Sequence, residues 1–372
     1  MGNYYYQSTK SLFKLSIKQG IAWMFVLTLF GFIRYYHTDA DEDYYIGVEI
    51  INNFTVPIVL LIGFFNGIVL TYLEAHFLNT YAHRGSLGYI IFLGILLYIC
   101  FVTAILFVTY SLTVWETNQQ FTLGNLKRFF LNGTSISFIV YLLIATFIFG
   151  FFKQVDRKFG PGNLMRMLRG DFYYPKEENR IFMFLDLNSS TTIAENLGHI
   201  RYSRLLQDCF HDVSIVQKYK AEFYQYVGDE VVLTWNLKNG VINNNVIKAY
   251  YAFIDLLESK QDYYVKNYGL MPEFKAGVHY GKVTVTEVGD VKREIAFHGD
   301  VLNTASRIQG KCNEIGELFL VSGDVAALIG AVEGAKLQSI SEVTLKGKNK
   351  QIEIFAVKRQ KENPQSELAL EH

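Results

Sequence analysis

The second half of the chain carries the side chains that could do chemistry. Asp186 interrupts the apolar run Ile181-Phe-Met-Phe-Leu-Asp186-Leu187, which reads as a buried strand. Asn188, Ser189 and Ser190 follow, and then a helical stretch over residues 191 to 219. A carboxylate in that position is costly unless it meets a cation; a helix cap or a salt bridge would account for it equally well. The backbone N–H groups of Ser189, Ser190 and Thr191, at a helix amino-terminus, suit a phosphate. Asp229 follows Gly228 between two strand-like runs, 222–227 and 230–235, so it sits at a hairpin tip. Turn chemistry alone also explains an aspartate there. Asn303 and Arg307 are four residues apart on a helix that starts after Gly299-Asp300 and runs through Gln309, so they share one face.

The elements that must hold these residues alternate. A helix is expected over 245–268. Strand patterns follow at 273–280, 282–288, 318–321, 342–347 and 352–357. Strands alternating with helices, with several hairpins, indicate an α/β (α+β) sandwich whose sheet is mixed and mostly antiparallel, flanked by helices. There is no Walker loop, GxGxxG, HExxH, GxSxG or CxxC pair. His199, His211, His279 and His298 lack ligand spacing and read as ordinary polar positions.

The first half is chemically different. Of 70 charged residues among 372, only 14 fall before residue 151. Segments 50–73, 85–115 and 129–152 hold no Asp, Glu, Lys or Arg, and each is long enough to cross the hydrocarbon core. Residues 19–33 form a shorter uncharged run between Lys18 and Arg34, which can reach the headgroups from both ends. A cleaved signal peptide would have a similar apolar length, but no small-residue cleavage site follows. The expectation is an α-helical four-span membrane domain. Basic residues favour one side: Lys10, Lys14, Lys18, Arg84, Lys153, Arg157, Lys158, Arg166 and Arg169, against Arg34, Lys127 and Arg128 on the other. That bias places both termini and the second half in the cytoplasm, at the cell (inner) membrane. Cys100, Cys209 and Cys312 have no paired spacing, in keeping with a reducing compartment. Glu74, His76 and His83 share one short loop, which reads as interfacial rather than as a metal or haem site. The net charge of zero gives no argument for nucleic acid.

Between the halves, Gly160-Pro161-Gly162 breaks the helix leaving the membrane. Asn163 is expected to cap a short amphipathic helix with Leu164, Met167 and Leu168 on one face. The segment reads as a transducer or as a basic linker on anionic lipid. The boundaries expected are 1–153 for the membrane domain, 154–177 for the linker, 178–358 for the α/β domain and 359–372 for a polar tail.

Five pieces in order resemble the class III adenylate/guanylate cyclase catalytic domain, over residues 178 to 358. They are Phe184-Leu-Asp186-Leu-Asn-Ser-Ser-Thr191, Val227-Gly228-Asp229, Ala276-Gly-Val-His-Tyr-Gly281, Gly299-Asp-Val-Leu-Asn303-Thr-Ala-Ser-Arg307 and Leu345-Lys346-Gly347. The resemblance implies a nucleoside triphosphate substrate, ATP first, converted to 3′,5′-cyclic AMP and pyrophosphate. It implies two magnesium or manganese ions on Asp186, Asp229 and the Leu187 carbonyl. Arg307 would stabilise charge on the α-phosphate and Asn303 would orient the ribose. Lys346, with Lys348 as its rival, would meet the terminal phosphates beside Ser189, Ser190 and Thr191. It further implies a head-to-tail homodimer with two shared sites.

The chain departs from the family in two places. Ser189-Ser190 stands where many relatives have Gly-Phe. Gln225 and Ala296 stand where adenylate-specific members have Lys and Asp, and guanylate-specific ones Glu and Cys. Gln can serve either base edge. The alternatives are a guanylate or other nucleotidyl cyclase, or a catalytically inactive nucleotide-binding module. Retention of Asp186, Asp229, Asn303 and Arg307 argues against the inactive module. Charge-free spans argue against a transporter or channel. Val227-Gly-Asp-Glu230 lacks the doubled glycine of diguanylate cyclases.

Overall fold

The computed structural model describes residues 9–37, 51–73, 87–116, 121–131, 133–160, 162–330, 334–344 and 351–360. The chain divides into two compact units, residues 1–158 and 159–372. Asp39 to Glu49, Glu74, His76, His83 and Arg84 lie outside the described residues, as do Leu345, Lys346, Gly347, Lys348 and residues 361–372; Arg359, expected to open the tail, ends the last strand.

In the first unit the described elements are all helical: α1 (Thr9–His37), α2 (Ile51–Leu73), α3 (Leu87–Glu116), α4 (Leu123–Phe130) and α5 (Gly133–Phe159). Trp23, Val26, Leu27, Leu70, Tyr98, Val102 and Leu142 form its core. Gly63 and Gly67 let α1 and α2 touch: a Cβ at Gly67 would lie 2.5 Å from the Gln19 carbonyl oxygen. Such small-residue crossings are the packing mode of helices in lipid. Large apolar side chains point outward, among them Phe25, Phe65, Phe92 and Phe147. Among the described residues, two stretches are long and apolar enough to cross a membrane, Leu12–Ile33 and Ser135–Lys153; Leu60–Leu73 is a shorter apolar helix.

The second unit opens with α6 (Asn163–Leu168). Asn163 was expected to cap it. Gly162, at φ 82°, takes the cap position instead, and Asn163 is the first helical residue. The left-handed conformation needed there suits glycine, which has no Cβ to clash.

Among the described residues eight strands follow: β1 (Lys176–Leu187), β2 (Glu222–Val227), β3 (Glu230–Asn236), β4 (Phe274–Val288), β5 (Glu294–His298), β6 (Phe319–Ser322), β7 (Ala335–Thr344) and β8 (Gln351–Arg359). They form one sheet in the order β2-β3-β1-β4-β6-β8-β7, with β5 paired to β4. The β4–β6 pair is parallel and the other pairs are antiparallel. The mixed, mostly antiparallel sheet flanked by helices therefore stands.

The helices are α7 (Ser190–Asp212), α8 (Leu237–Val241), α9 (Asn245–Ser259), α10 (Gln261–Tyr268), α11 (Asp300–Gly310), α12 (Cys312–Ile315) and α13 (Gly323–Ile329). Alternation along β1 sends Ile181, Met183, Leu185 and Leu187 into the larger core with α7, α9 and α10. Phe182 and Phe184 face the other way, toward Val232, Val283 and α11 residues Val301 and Ala305.

Three local expectations change. Residues 273–288 read as two strands separated at Gly281, yet β4 runs straight through it. The glycine serves packing rather than a break, since a Cβ there would lie 2.7 Å from a Val301 methyl. The helix expected over 191–219 tightens to a 3-10 turn at Val213–Tyr219. The helix over 245–268 is interrupted at Lys260, whose ammonium pairs with buried Asp212.

Candidate active site

Asp186 is the next-to-last residue of β1 and lies on the α11 face of the sheet. Register sets its neighbours: Glu230 on β3 on one side and Lys275 on β4 on the other. Three strands thus present Lys275, Asp186 and Glu230 in one cross-sheet row. Lys275 Nζ lies 3.3 Å from Asp186 Oδ2. Gln309, buried on α11, donates from Nε2 to the same oxygen at 3.0 Å.

Asp229 reaches the row from the β2–β3 turn, where Gly228 adopts φ 63°. It lies close enough to Asp186 for its charge to act on that carboxyl. Burial first, and Asp229 second, raise the Asp186 carboxyl above the usual carboxylate range, with Lys275 opposing them. Glu230 is pushed up to about 7, by burial and then by the charges of Asp186 and Asp229. A site that raises its own carboxyl groups in this way is short of positive charge.

The donor set fits a hard divalent cation. The two carboxylates and the backbone carbonyl of Leu187 offer only oxygen donors, and magnesium commonly takes one or two carboxylates and completes its shell with phosphates and water. Among the described residues no group of three or more His, Cys, Asp or Glu forms a complete cage. Water or a phosphate would complete the shell of an ion held by this set.

The turn after β1 points a helix end toward the same region. Ser189 adopts φ 56° as the cap of α7, its side chain makes no capping bond, and the first turn carries no acidic residue. The leading amides around Ser190 and Thr191 are therefore not capped by that side chain. Asn188 anchors the turn to the start of β4, donating from its backbone N–H to the Glu273 carbonyl at 2.8 Å and from Nδ2 to the Glu273 carboxylate at 2.7 Å.

Asn303 and Arg307 project from α11, exposed and half-buried respectively. Ala305 and Gln309 are buried on the sheet side of the same helix, roughly half a turn away. Within one chain, therefore, Arg307 points away from the Asp186–Asp229 pair. Gln225 stands on β2 just after a bulge at Tyr224. The bulge shifts parity, so Gln225 pairs with Val232 and faces the α11 side rather than the larger core. Ala296 lies on β5 opposite Thr286, beside Phe297, which packs on Phe182 and Tyr224.

Lys275, Glu230 and Gln309 were not singled out from sequence as site residues. Only register and the α11 crossing bring them to Asp186; the one local signal was a charged residue opening the otherwise apolar Ala276-Gly277-Val278 run.

Residues 172–359 match the family described as the adenylate and guanylate cyclase catalytic domain. The chain belongs to this family. Adenylate cyclase 2 of Rhizobium meliloti (strain 1021) is 27% identical over 224 residues, covering 60% of this chain and 62% of that protein. Adenylate cyclase 1 of the same organism is 26% identical over 181 residues, 47% of this chain and 27% of that protein. The chain thus spans less than two-thirds of the length of either relative. The structure of a bacterial light-regulated adenylyl cyclase shares the fold at 17% identity with a TM-score of 0.51, over 61% of this chain and 66% of that one.

Proposed function

We propose that this protein is a membrane-anchored nucleotidyl cyclase that converts ATP to 3′,5′-cyclic AMP and pyrophosphate. The observation that carries the reading is the pair Asp186 and Asp229, on a family domain that also keeps Asn303 and Arg307 on one helix face. The similar proteins whose names specify adenylate cyclase support ATP as the substrate.

In the reaction the ribose 3′-oxygen bonds to the α-phosphorus, the bond from that phosphorus to the oxygen bridging it to the β-phosphorus breaks so that pyrophosphate leaves, and the 3′-hydroxyl proton passes to water. Asp186, Asp229 and the Leu187 carbonyl would hold two magnesium or manganese ions. Bound there, the ions supply acidification of the attacking hydroxyl and neutralisation of the phosphates. Arg307 stabilises the charge that grows on the α-phosphate. Asn303 orients the ribose. The amides of Ser189 to Thr191, with Lys346, receive the terminal phosphates.

Because Arg307 points away from the carboxylates of its own chain, the reading is of a homodimer. Each chain gives Asp186 and Asp229 to one site, and Asn303 and Arg307 to the other. The four long helices of the first unit are read as four membrane spans, with termini and cyclase domain in the cytoplasm. Domain limits follow as 1–153, 154–177, 178–358 and 359–372. Gln225 and Ala296 match neither usual base-selecting pair, so a guanylate or other nucleotidyl cyclase is the second reading.

The test is direct. The full chain in detergent is incubated with manganese and each nucleoside triphosphate in turn, and cyclic products are measured by mass spectrometry. Cyclic AMP as the main product is the expected result. Absence of any cyclic product sinks the enzyme reading.

A further inference from the structure

The side chain that fixes the Asp186 carboxylate comes from the back of the helix whose front carries Asn303 and Arg307. Gln309 is 7% exposed, and its Nε2 donates to Asp186 Oδ2 at 3.0 Å, across 123 residues of sequence. Its backbone is held as tightly. Gly277 of β4 lies under α11, and a Cβ there would come within 2.1 Å of the Gln309 nitrogen and 2.6 Å of the Ala305 carbonyl oxygen. The helix thus rests directly on the strand beside Asp186, and the Gln309 amide has a fixed origin.

Lys275 meets the same oxygen at 3.3 Å, and it differs in kind. An ammonium neutralises the carboxylate but repels an arriving divalent cation. A neutral amide does not repel it. Both contacts fall on Oδ2.

We propose that Gln309 is a positioning residue for cation binding: it holds Asp186 with Oδ1 presented to the metal, before and after the ion arrives. The inference rests on the two-carboxylate reading of the site. It also makes α11 a mechanical link, because cation occupancy at Asp186 and the seat of Asn303 and Arg307 on the same helix share one anchor. Hydrogen-bond partners of metal-binding carboxylates typically account for a 10–100-fold share of affinity.

Manganese titration of the full chain in detergent, without nucleotide, tests this by electron paramagnetic resonance of the free ion. Asp186→Ala defines the component of binding that belongs to the site. Gln309→Met keeps the length and removes the donor; Gln309→Asn retracts the donor and serves if the first variant fails to fold. The expected result is a Kd for manganese raised about tenfold in either variant. An Asp186-dependent component whose Kd is the same in wild type and both Gln309 variants overturns the inference and leaves the two-carboxylate reading standing. Absence of any Asp186-dependent component overturns both.

Discussion

Asp186 and Glu230 stand directly opposite one another on β1 and β3, and Asp229 adjoins them at the turn. Three acidic groups in so small a space make the domain's stability depend on pH and on divalent cations together. Glu230 is pushed up to about 7 from 4.5, and Asp186 is raised in the same direction. Without cations, the folded chain holds protons that the unfolded chain has released. The sign follows: stability falls as pH rises from about 4.5, and the loss is complete above about 7. A bound cation favours the ionised carboxylates and offsets the loss. Melting of the full chain with chelator and with manganese checks this. The rise in Tm on adding manganese should be larger at about pH 8 than at about pH 5.

Gly277 is the position where β4 admits α11. Gly277→Ala places a methyl against helix backbone rather than against a flexible side chain, so the helix must shift. The expected cost is about 1–3 kcal/mol of stability. Activity should fall further than stability implies, by about 100-fold, because displaced Asn303 and Arg307 no longer meet the substrate in register. Circular dichroism beside a cyclase assay separates the two effects.

The residues legible in the sequence were those whose context is local. Asp229 follows a glycine at a hairpin tip, and Asn303 and Arg307 share a face by spacing alone. Lys275 and Glu230 were not legible as partners of Asp186, because cross-strand register is set by pairings across many residues of chain. Gly281 misled in an instructive way. A glycine between two alternating runs looks like a turn, but here it clears room for Val301 on α11, and only the tertiary packing distinguishes the two. Strand β5 is short and half-exposed, and its alternation is too brief to stand out.

Asp212, 3% exposed, accepts from Lys260 and from the Tyr264 hydroxyl, the latter at 2.7 Å, and so ties the end of α7 to α10. Asp212→Ala removes one acceptor from two largely buried donors. Breaking a buried ion pair on one side costs about 3–5 kcal/mol. The variant should therefore melt well below wild type. Activity per folded molecule should persist at low temperature, since none of these groups belongs to the Asp186 row.

Gln225 and Ala296 set a prediction about the base. Gln225→Lys with Ala296→Asp installs the pair typical of adenylate-specific relatives. A site that places dedicated hydrogen-bonding groups against one base rejects the other because those groups are then left unpaired. The ratio of kcat/KM for ATP to that for GTP should rise at least about tenfold in the double variant. A ratio unchanged from wild type would mean that Gln225 and Ala296 do not contact the base.

The opposed faces of α11 yield the sharpest test of the shared site. Asp186→Ala and Arg307→Ala should each lower activity by at least about 100-fold. In a head-to-tail dimer, a mixed pair assembles one site from the intact Asp186 of one chain and the intact Arg307 of the other, while its second site lacks both. Random mixing of equal amounts makes half the dimers mixed, each with one working site of two, so about a quarter of wild-type activity should return. Co-expression of differently tagged chains and tandem purification would raise that share toward one half. A mixture no more active than its components would instead require Asp186 and Arg307 to act within one chain, against the direction in which α11 presents them.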